Sequence, residues 1–261
     1  MLAEAIRYLT TPAPWHLRRL GYLKESIGTE ARWQRCRAAW QDHLDACQAL
    51  IREAAEGSTQ RHRVAVLGSG GLHDVPLEDL SRLFGEVLLA DVIHPPAVRR
   101  RARKLGNVRP ITLDASGVAE TLFALKPDQP LPAPDASAIA ALDADLVISV
   151  NLLFQLPVGP CAWLAKRGGR SAAEIEAFGR ALVQAHLNAL ASLRGRVCLI
   201  TEVEHLLVDR DGKVAERDVP LDDFPLTLAG RSWTWDIAPR REAHPDYDLR
   251  YRVVGAIFEG K

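Results

Sequence analysis

Two hydrophobic rhythms divide the chain. Over residues 1 to about 57 apolar positions recur at steps of three and four, and Trp33, Cys36, Trp40, Leu44, Cys47 and Ile51 fall on one helix face. From Arg63 onward the rhythm changes to short apolar runs: VAVLG (64–68), EVLLADV (86–92), VRPITLD (108–114), DLVISVNLLF (145–154) and RVCLITEV (196–203). Each run is near-continuous, not alternating, as strands buried on both faces of a parallel sheet require. Candidate helices lie between them at about 76–84, 95–105, 117–125 and 172–193, the last reading AAEIEAFGRALVQAHLNALASL. Strand-helix alternation of this kind predicts an α/β protein with an open, doubly wound, mostly parallel sheet.

Several stretches depart from the alternation. TTPAPWHLRRLGYLKE is broken by two prolines and Gly21, so it reads as a turn and a short helix whose Trp15, His16 and Tyr22 are free to face a pocket. KPDQPLPAPDAS (126–137) carries four prolines and reads as an extended loop, and GPCAWLAKRGGR (159–170) as another. Asp211-Gly212 within LLVDRDGKVAERDV is a hairpin signal. The closing runs, RSWTWDIAP and YDLRYRVVGAIF, have no helix between them, which predicts an antiparallel C-terminal edge. The division expected is an N-terminal helical segment or lid, 1–57, and an α/β domain, 58–261.

Composition narrows the classes of partner. The 261 residues contain 33 Lys+Arg and 33 Asp+Glu, so the formal net charge is zero and the usual electrostatic argument for a nucleic-acid partner is missing. The basic run RRRARK (99–104) falls on a helix, where it reads as a solvated face. No apolar run approaches the ~20 residues that span a bilayer, and the N-terminus lacks a basic-then-apolar leader, so a cytoplasmic protein without a membrane partner is expected. The four cysteines, Cys36, Cys47, Cys161 and Cys198, fit neither a metal spacing nor a disulfide framework, and no metal is expected.

The chemistry concentrates where the first strand ends. In an open parallel sheet ligands bind beyond the carboxyl ends of the strands, near the point where strand order reverses. Gly68, Gly70 and Gly71 end the first strand and let the backbone turn sharply and approach a ligand. Asp74 is placed to cap the helix that follows, with Pro76 in its first turn. The second strand ends in Asp91, 23 residues after Gly68, where a carboxylate can accept both hydroxyl hydrogens of a ribose. The third ends in Asp114. Together they outline a nucleoside pocket. A dinucleotide site would want a third glycine at His73, whose side chain would obstruct close helix approach.

The long helix, the strand after it and the two helix-free closing strands resemble the class I S-adenosylmethionine-dependent methyltransferases, over roughly residues 60 to 258. The resemblance implies a seven-stranded sheet with an antiparallel C-terminal hairpin and S-adenosylmethionine as cofactor. It places Gly68, Ser69, Gly70 and Gly71 beside the methionyl part, Asp91 on the ribose, and Asp114 with Ala115 or Ser116 at the adenine. Asn151 then begins the loop near the transferable methyl. Val66 stands where the family has an acid two residues before its first glycine, and Leu72 where it has a further glycine, which leaves Asp74 as the candidate for the ammonium group.

Gln155, Trp163 and Tyr22 are the candidates for the acceptor pocket, and Asn151-Leu152-Leu153-Phe154 is not the Asn-Pro-Pro-aromatic box of base methylases. Glu202, Glu204 and His205 close the fifth strand as a strand-end polar cluster, and His186 reads as a packed histidine. The reading is a methyltransferase acting on a small molecule, with no general base assigned. The alternatives are a non-catalytic nucleoside-binding or scaffold protein of the same fold and a nicotinamide-dependent oxidoreductase.

Overall fold

A computed structural model describes residues 2–126, 129–220, 224 and 229–260; residues 127 and 128 of the proline-rich stretch lie outside them. Three helices come first: α1 (Leu2–Thr10), α2 (Trp15–Arg19) and α3 (Tyr22–Glu56). The alternation then runs β1 (Arg63–Leu67), α4 (Leu77–Leu83), β2 (Glu86–Asp91), α5 (Pro96–Leu105), β3 (Val108–Thr112), α6 (Ala119–Ala124), α7 (Ser137–Ala140) and β4 (Leu146–Val150). A 3-10 turn at Leu153–Gln155 leads into α8 (Val158–Arg167), α9 (Ala172–Ala191) and β5 (Arg196–Val208), and the chain closes with β6 (Val214–Asp218), β7 (Arg231–Ala238) and β8 (Asp248–Glu259).

The strands lie in the order β3-β2-β1-β4-β5-β8-β7. Neighbours from β3 to β5 are parallel, while β8 is antiparallel to both β5 and β7. The doubly wound sheet with an antiparallel C-terminal edge is therefore present. Pro110 sits in β3, the edge strand, where one missing donor is tolerated.

Eight strands occur among the described residues instead of seven. β5 has 13 residues and runs well past its pairing with β4, which ends at Val150–Ile200. That overhang would leave an open edge from His205 to Val208, and β6 folds back from the Asp211-Gly212 turn to cover it.

Alternate residues of each strand enter opposite cores. Val64, Val66, Ile148 and Ile200 face one side, while Ala65, Leu67, Val147 and Leu199 face the other with Val183, Leu187 and Leu190 of α9. The first core also takes the α3 stripe of Cys36, Trp40, Leu44, Cys47 and Ile51. Trp40 Nε1 donates to the Ile237 carbonyl of β7 (2.9 Å), tying the helix to the sheet. A third cluster joins Leu17, Leu20 and Leu23 to Phe178 and Leu182 of α9.

Three local expectations need correction. The stretch 159–170 is helix α8, not a loop: Pro160 lies in its first turn, where proline needs no donor. Asp74 does not cap α4; Pro76 holds that position without a side-chain bond, and Asp74 turns towards the sheet. Trp15 does not face a pocket but is 65% exposed with the Arg19 guanidinium over its ring. No helix among the described residues is long and apolar enough to cross a membrane.

Candidate active site

A cavity of about 500 Å³ opens at the carboxyl ends of β1, β2, β4 and β5, with residues 22 to 44 of α3 forming one wall. It lies where strand order reverses between β1 and β4.

The glycine turn forms one end. Gly68 (φ 71°) and Gly70 (φ 48°) adopt the left-handed backbone. A Cβ at Gly68 would meet Leu152 Cβ at 3.0 Å, whereas at Gly70 it would meet nothing nearer than the Gly68 carbonyl at 3.8 Å. Gly68, Gly70 and Gly71 line the cavity; Ser69 does not, and its buried hydroxyl has no partner. The Ser69 side chain is therefore not part of the cavity wall.

Asp91 accepts from the Gly70 amide (2.8 Å) and the Ile93 amide (3.2 Å), one on each oxygen. Burial pushes its carboxyl up from the usual carboxylate range while those amides pull it back. Asp114 accepts from the Ser116 amide (3.0 Å) and hydroxyl (2.6 Å) on one oxygen and from the Ala119 amide (2.7 Å) on the other. Its carboxylate therefore shapes the turn before α6 as well as lining the cavity. Tyr22, expected in the acceptor pocket, lies instead at this same end, next to Asp114 and Ser116, and burial pushes its hydroxyl far up.

At the end of β4, Asn151 takes the left-handed conformation (φ 50°). Its Nδ2 donates to Asp74 Oδ2 (2.8 Å), its buried Oδ1 has no partner, and its carbonyl accepts from Gln155 Nε2 (2.7 Å). Burial raises Asp74. Beside them His43 of α3 stacks on Trp235 at 3.9 Å and accepts from Trp233 Nε1 at Nδ1 (3.0 Å). Burial pushes His43 down to about 3, so the ring is neutral, and its Nε2 lies 3.1 Å from Asn151 Nδ2 and 3.5 Å from Cys47 Sγ.

His73 turns towards α3 instead of α4. Its ring stacks on Trp33 at 3.6 Å and its Nε2 donates to Glu30 (2.8 Å), which holds the Glu30 carboxyl down.

The other end of the cavity is aromatic and contains Glu202, His205, Trp40, Trp235 and Tyr251. The polar cluster at the end of β5 is split by a register shift between Glu202 and Glu204, a bulge that puts residues three apart on one face. Glu202 and His205 line the cavity, while Glu204 turns out to Arg217 (2.7 Å). Burial raises Glu202, whose carboxyl takes a weak hydrogen bond from Thr201 Oγ1 (3.4 Å).

Gln155 reaches the mouth of the cavity. Trp163 does not reach it: on α8 it packs beside Phe123, 5.7 Å between rings, in the third cluster, and the acceptor-pocket expectation for it is corrected. Sequence reasoning missed His43, Trp235 and Tyr251. Trp233 and Trp235, alternate residues in RSWTWDIAP, were the available signal for an aromatic strand face. No group of His, Cys, Asp or Glu among the described residues is placed to hold a metal.

No family model and no curated protein matches the sequence. Solved structures similar to this chain include DhpI in a SAM-HEP complex, at 17% identity and TM-score 0.37, with 93% of this chain and 99% of that chain covered. A Burkholderia thailandensis 1,6-didemethyltoxoflavin-N1-methyltransferase matches at 14% identity and TM-score 0.37, over 91% of this chain and 90% of that one. An rRNA methylase from Streptococcus thermophilus matches at 13% identity and TM-score 0.38, over 84% and 97%.

Proposed function

We propose that the protein is an S-adenosylmethionine-dependent methyltransferase acting on a small molecule, with residues 1–57 as a segment that covers its site. The observation that carries the reading is the convergence in one cavity of the glycine turn, Asp91, Asp114 and Asn151, each at the carboxyl end of a successive parallel strand.

The residues fit the cofactor. Gly70 faces open space where a Cβ would stand, so a ligand can approach the backbone. Asn151 Oδ1 is a buried acceptor that an ammonium group would satisfy, with Asp74 adjacent. Each Asp91 oxygen accepts one amide and keeps capacity for a ribose hydroxyl. When bound, S-adenosylmethionine supplies a methyl group on a positively charged sulfur.

The remaining work belongs to the chain. Asp91 and the Gly68–Gly71 turn fix the nucleoside and methionyl ends, and Tyr22, Leu113 and Ala115 enclose the adenine. Trp40, Trp235 and Tyr251 keep water from the acceptor, and positioning of this kind can supply several kcal/mol of the barrier.

Calorimetric titration with S-adenosylmethionine and S-adenosylhomocysteine tests the reading, with NADH as the competitor class. Binding of the sulfur compounds without NADH is the expected result. Binding of NADH alone would overturn it in favour of an oxidoreductase.

A further inference from the structure

The cavity as a whole has a marked charge imbalance. Although the chain is neutral, six carboxyl side chains and one guanidinium, Arg32, line the cavity; Arg32 stands 3.7 Å from Glu242 and its charge also acts on Tyr251. Four of the acids have partners named above, Glu30 with His73, Asp74 with Asn151, Asp91 and Asp114 with backbone amides, and a fifth, Glu25, is exposed to solvent.

Glu202 stands apart. It is 6% exposed, its one weak donor is Thr201, and no cation is among the groups that act on it. Three residues on, His205 Nδ1 faces Asp218 Oδ2 at 3.4 Å, which makes Nδ1 the donor and leaves Nε2 an acceptor. That Nε2 is buried without a partner. His205 Nε2 therefore lacks a donor and Glu202 has only a weak one, while Trp235 Nε1 on the same lining is a buried donor without an acceptor.

The surfaces between them are π-faces. Tyr251 stacks on His205 at 4.1 Å, and Trp235, whose one face His43 covers, meets Tyr251 edge-on at 5.9 Å and Trp40 edge-on at 4.9 Å. A buried carboxyl with one weak donor and a free imidazole nitrogen beside aromatic rings suit a ligand that brings several N–H groups.

We propose that this end of the cavity takes a protonated amine carried on a flat ring, with Glu202 as the group that binds its nitrogen and His205 Nε2 as a second acceptor. Naming that amine the methyl acceptor rests on the methyltransferase reading, and there its nitrogen first gives a proton to Glu202 or His205 Nε2, so that the freed lone pair can take the methyl group as the carbon–sulfur bond breaks.

The test titrates the full-length protein, with and without S-adenosylhomocysteine, with 2-phenylethylamine and 2-(1-naphthyl)ethylamine. Each is matched by the alcohol and the carboxylate of the same ring, and heats are read by calorimetry. The amine should bind about tenfold or more tightly than its alcohol, the size of one charge-assisted hydrogen bond. In Glu202→Gln the preference should fall to within about threefold, with S-adenosylhomocysteine affinity unchanged as the control for folding. If neither amine binds, if the alcohols or carboxylates bind equally, or if Glu202→Gln keeps the preference, the amine site is refuted. Amine preference without any S-adenosylhomocysteine binding would instead sink the methyltransferase reading and leave the amine site standing.

Discussion

Replacing Asp91 by alanine should separate binding from folding. In the folded chain the carboxyl accepts two backbone amides, from Gly70 at 2.8 Å and Ile93 at 3.2 Å, and burial raises its pKa above 3.8. A raised carboxyl favours its neutral form, so the native state carries no penalty below 3.8 and is destabilised as the pH climbs through the folded value. At neutral pH the substitution therefore removes a buried charge while losing two amide bonds at about 0.5–1.5 kcal/mol each. These effects oppose, and the melting midpoint of the free protein should move by no more than about 4 °C. Binding has no such compensation. Losing the charged partner of the ribose hydroxyls should weaken S-adenosylhomocysteine by about 2–3 kcal/mol, some 30- to 150-fold in dissociation constant. Calorimetry at neutral pH measures the second quantity and a thermal melt the first. A dissociation constant within about threefold of wild type would refute the ribose assignment. A midpoint collapse with no independent change in affinity would make Asp91 a structural residue of the glycine turn.

Gly70→Val should abolish cofactor binding more than it lowers stability, since its Cβ enters the open side of the turn at φ 48°; normal affinity with an earlier melt would show that the turn is structural. Trp40→Phe leaves the Ile237 carbonyl without its 2.9 Å donor and should destabilise by about 1–3 kcal/mol in urea unfolding, an unchanged midpoint arguing against the tie between α3 and β7. Deleting residues 1–24 removes Leu17, Leu20 and Leu23, each at most 3% exposed, and at roughly 1.5–3 kcal/mol apiece the loss rivals a whole domain's stability. The truncated chain should aggregate or lose its cooperative melt, and a well-folded product would mean that the segment is a separable lid.

The apolar runs made the five parallel strands legible, because a strand covered on both faces has no polar alternation to hide it. All five begin within about one residue of their runs. The strand-end residues Gly68, Gly70, Asp91 and Asp114 were legible for the same reason: topology places every strand's carboxyl end at one edge, so sequence position alone brings them together. Helix α8 was not legible, since Gly159, Pro160 and Gly168-Gly169 carry the marks of a loop and the helix stands between them. Trp163 was misplaced with it.

The aromatic end of the cavity shows a different limit. His43, Trp235, Glu202 and Tyr251 come from α3, β7, β5 and β8 and meet through pairings far apart in sequence. Strict alternation along β5 would have put Glu202 with Glu204 on one face and sent His205 to the other. One bulge reverses this, leaving Glu204 to the solvent arginines and joining Glu202 to His205 in the cavity. A single inserted residue therefore decides which charges face the ligand. Its position depends on how β8 pairs with β5 across an overhang that β6 covers, which no local pattern in TEVEHLLV reveals.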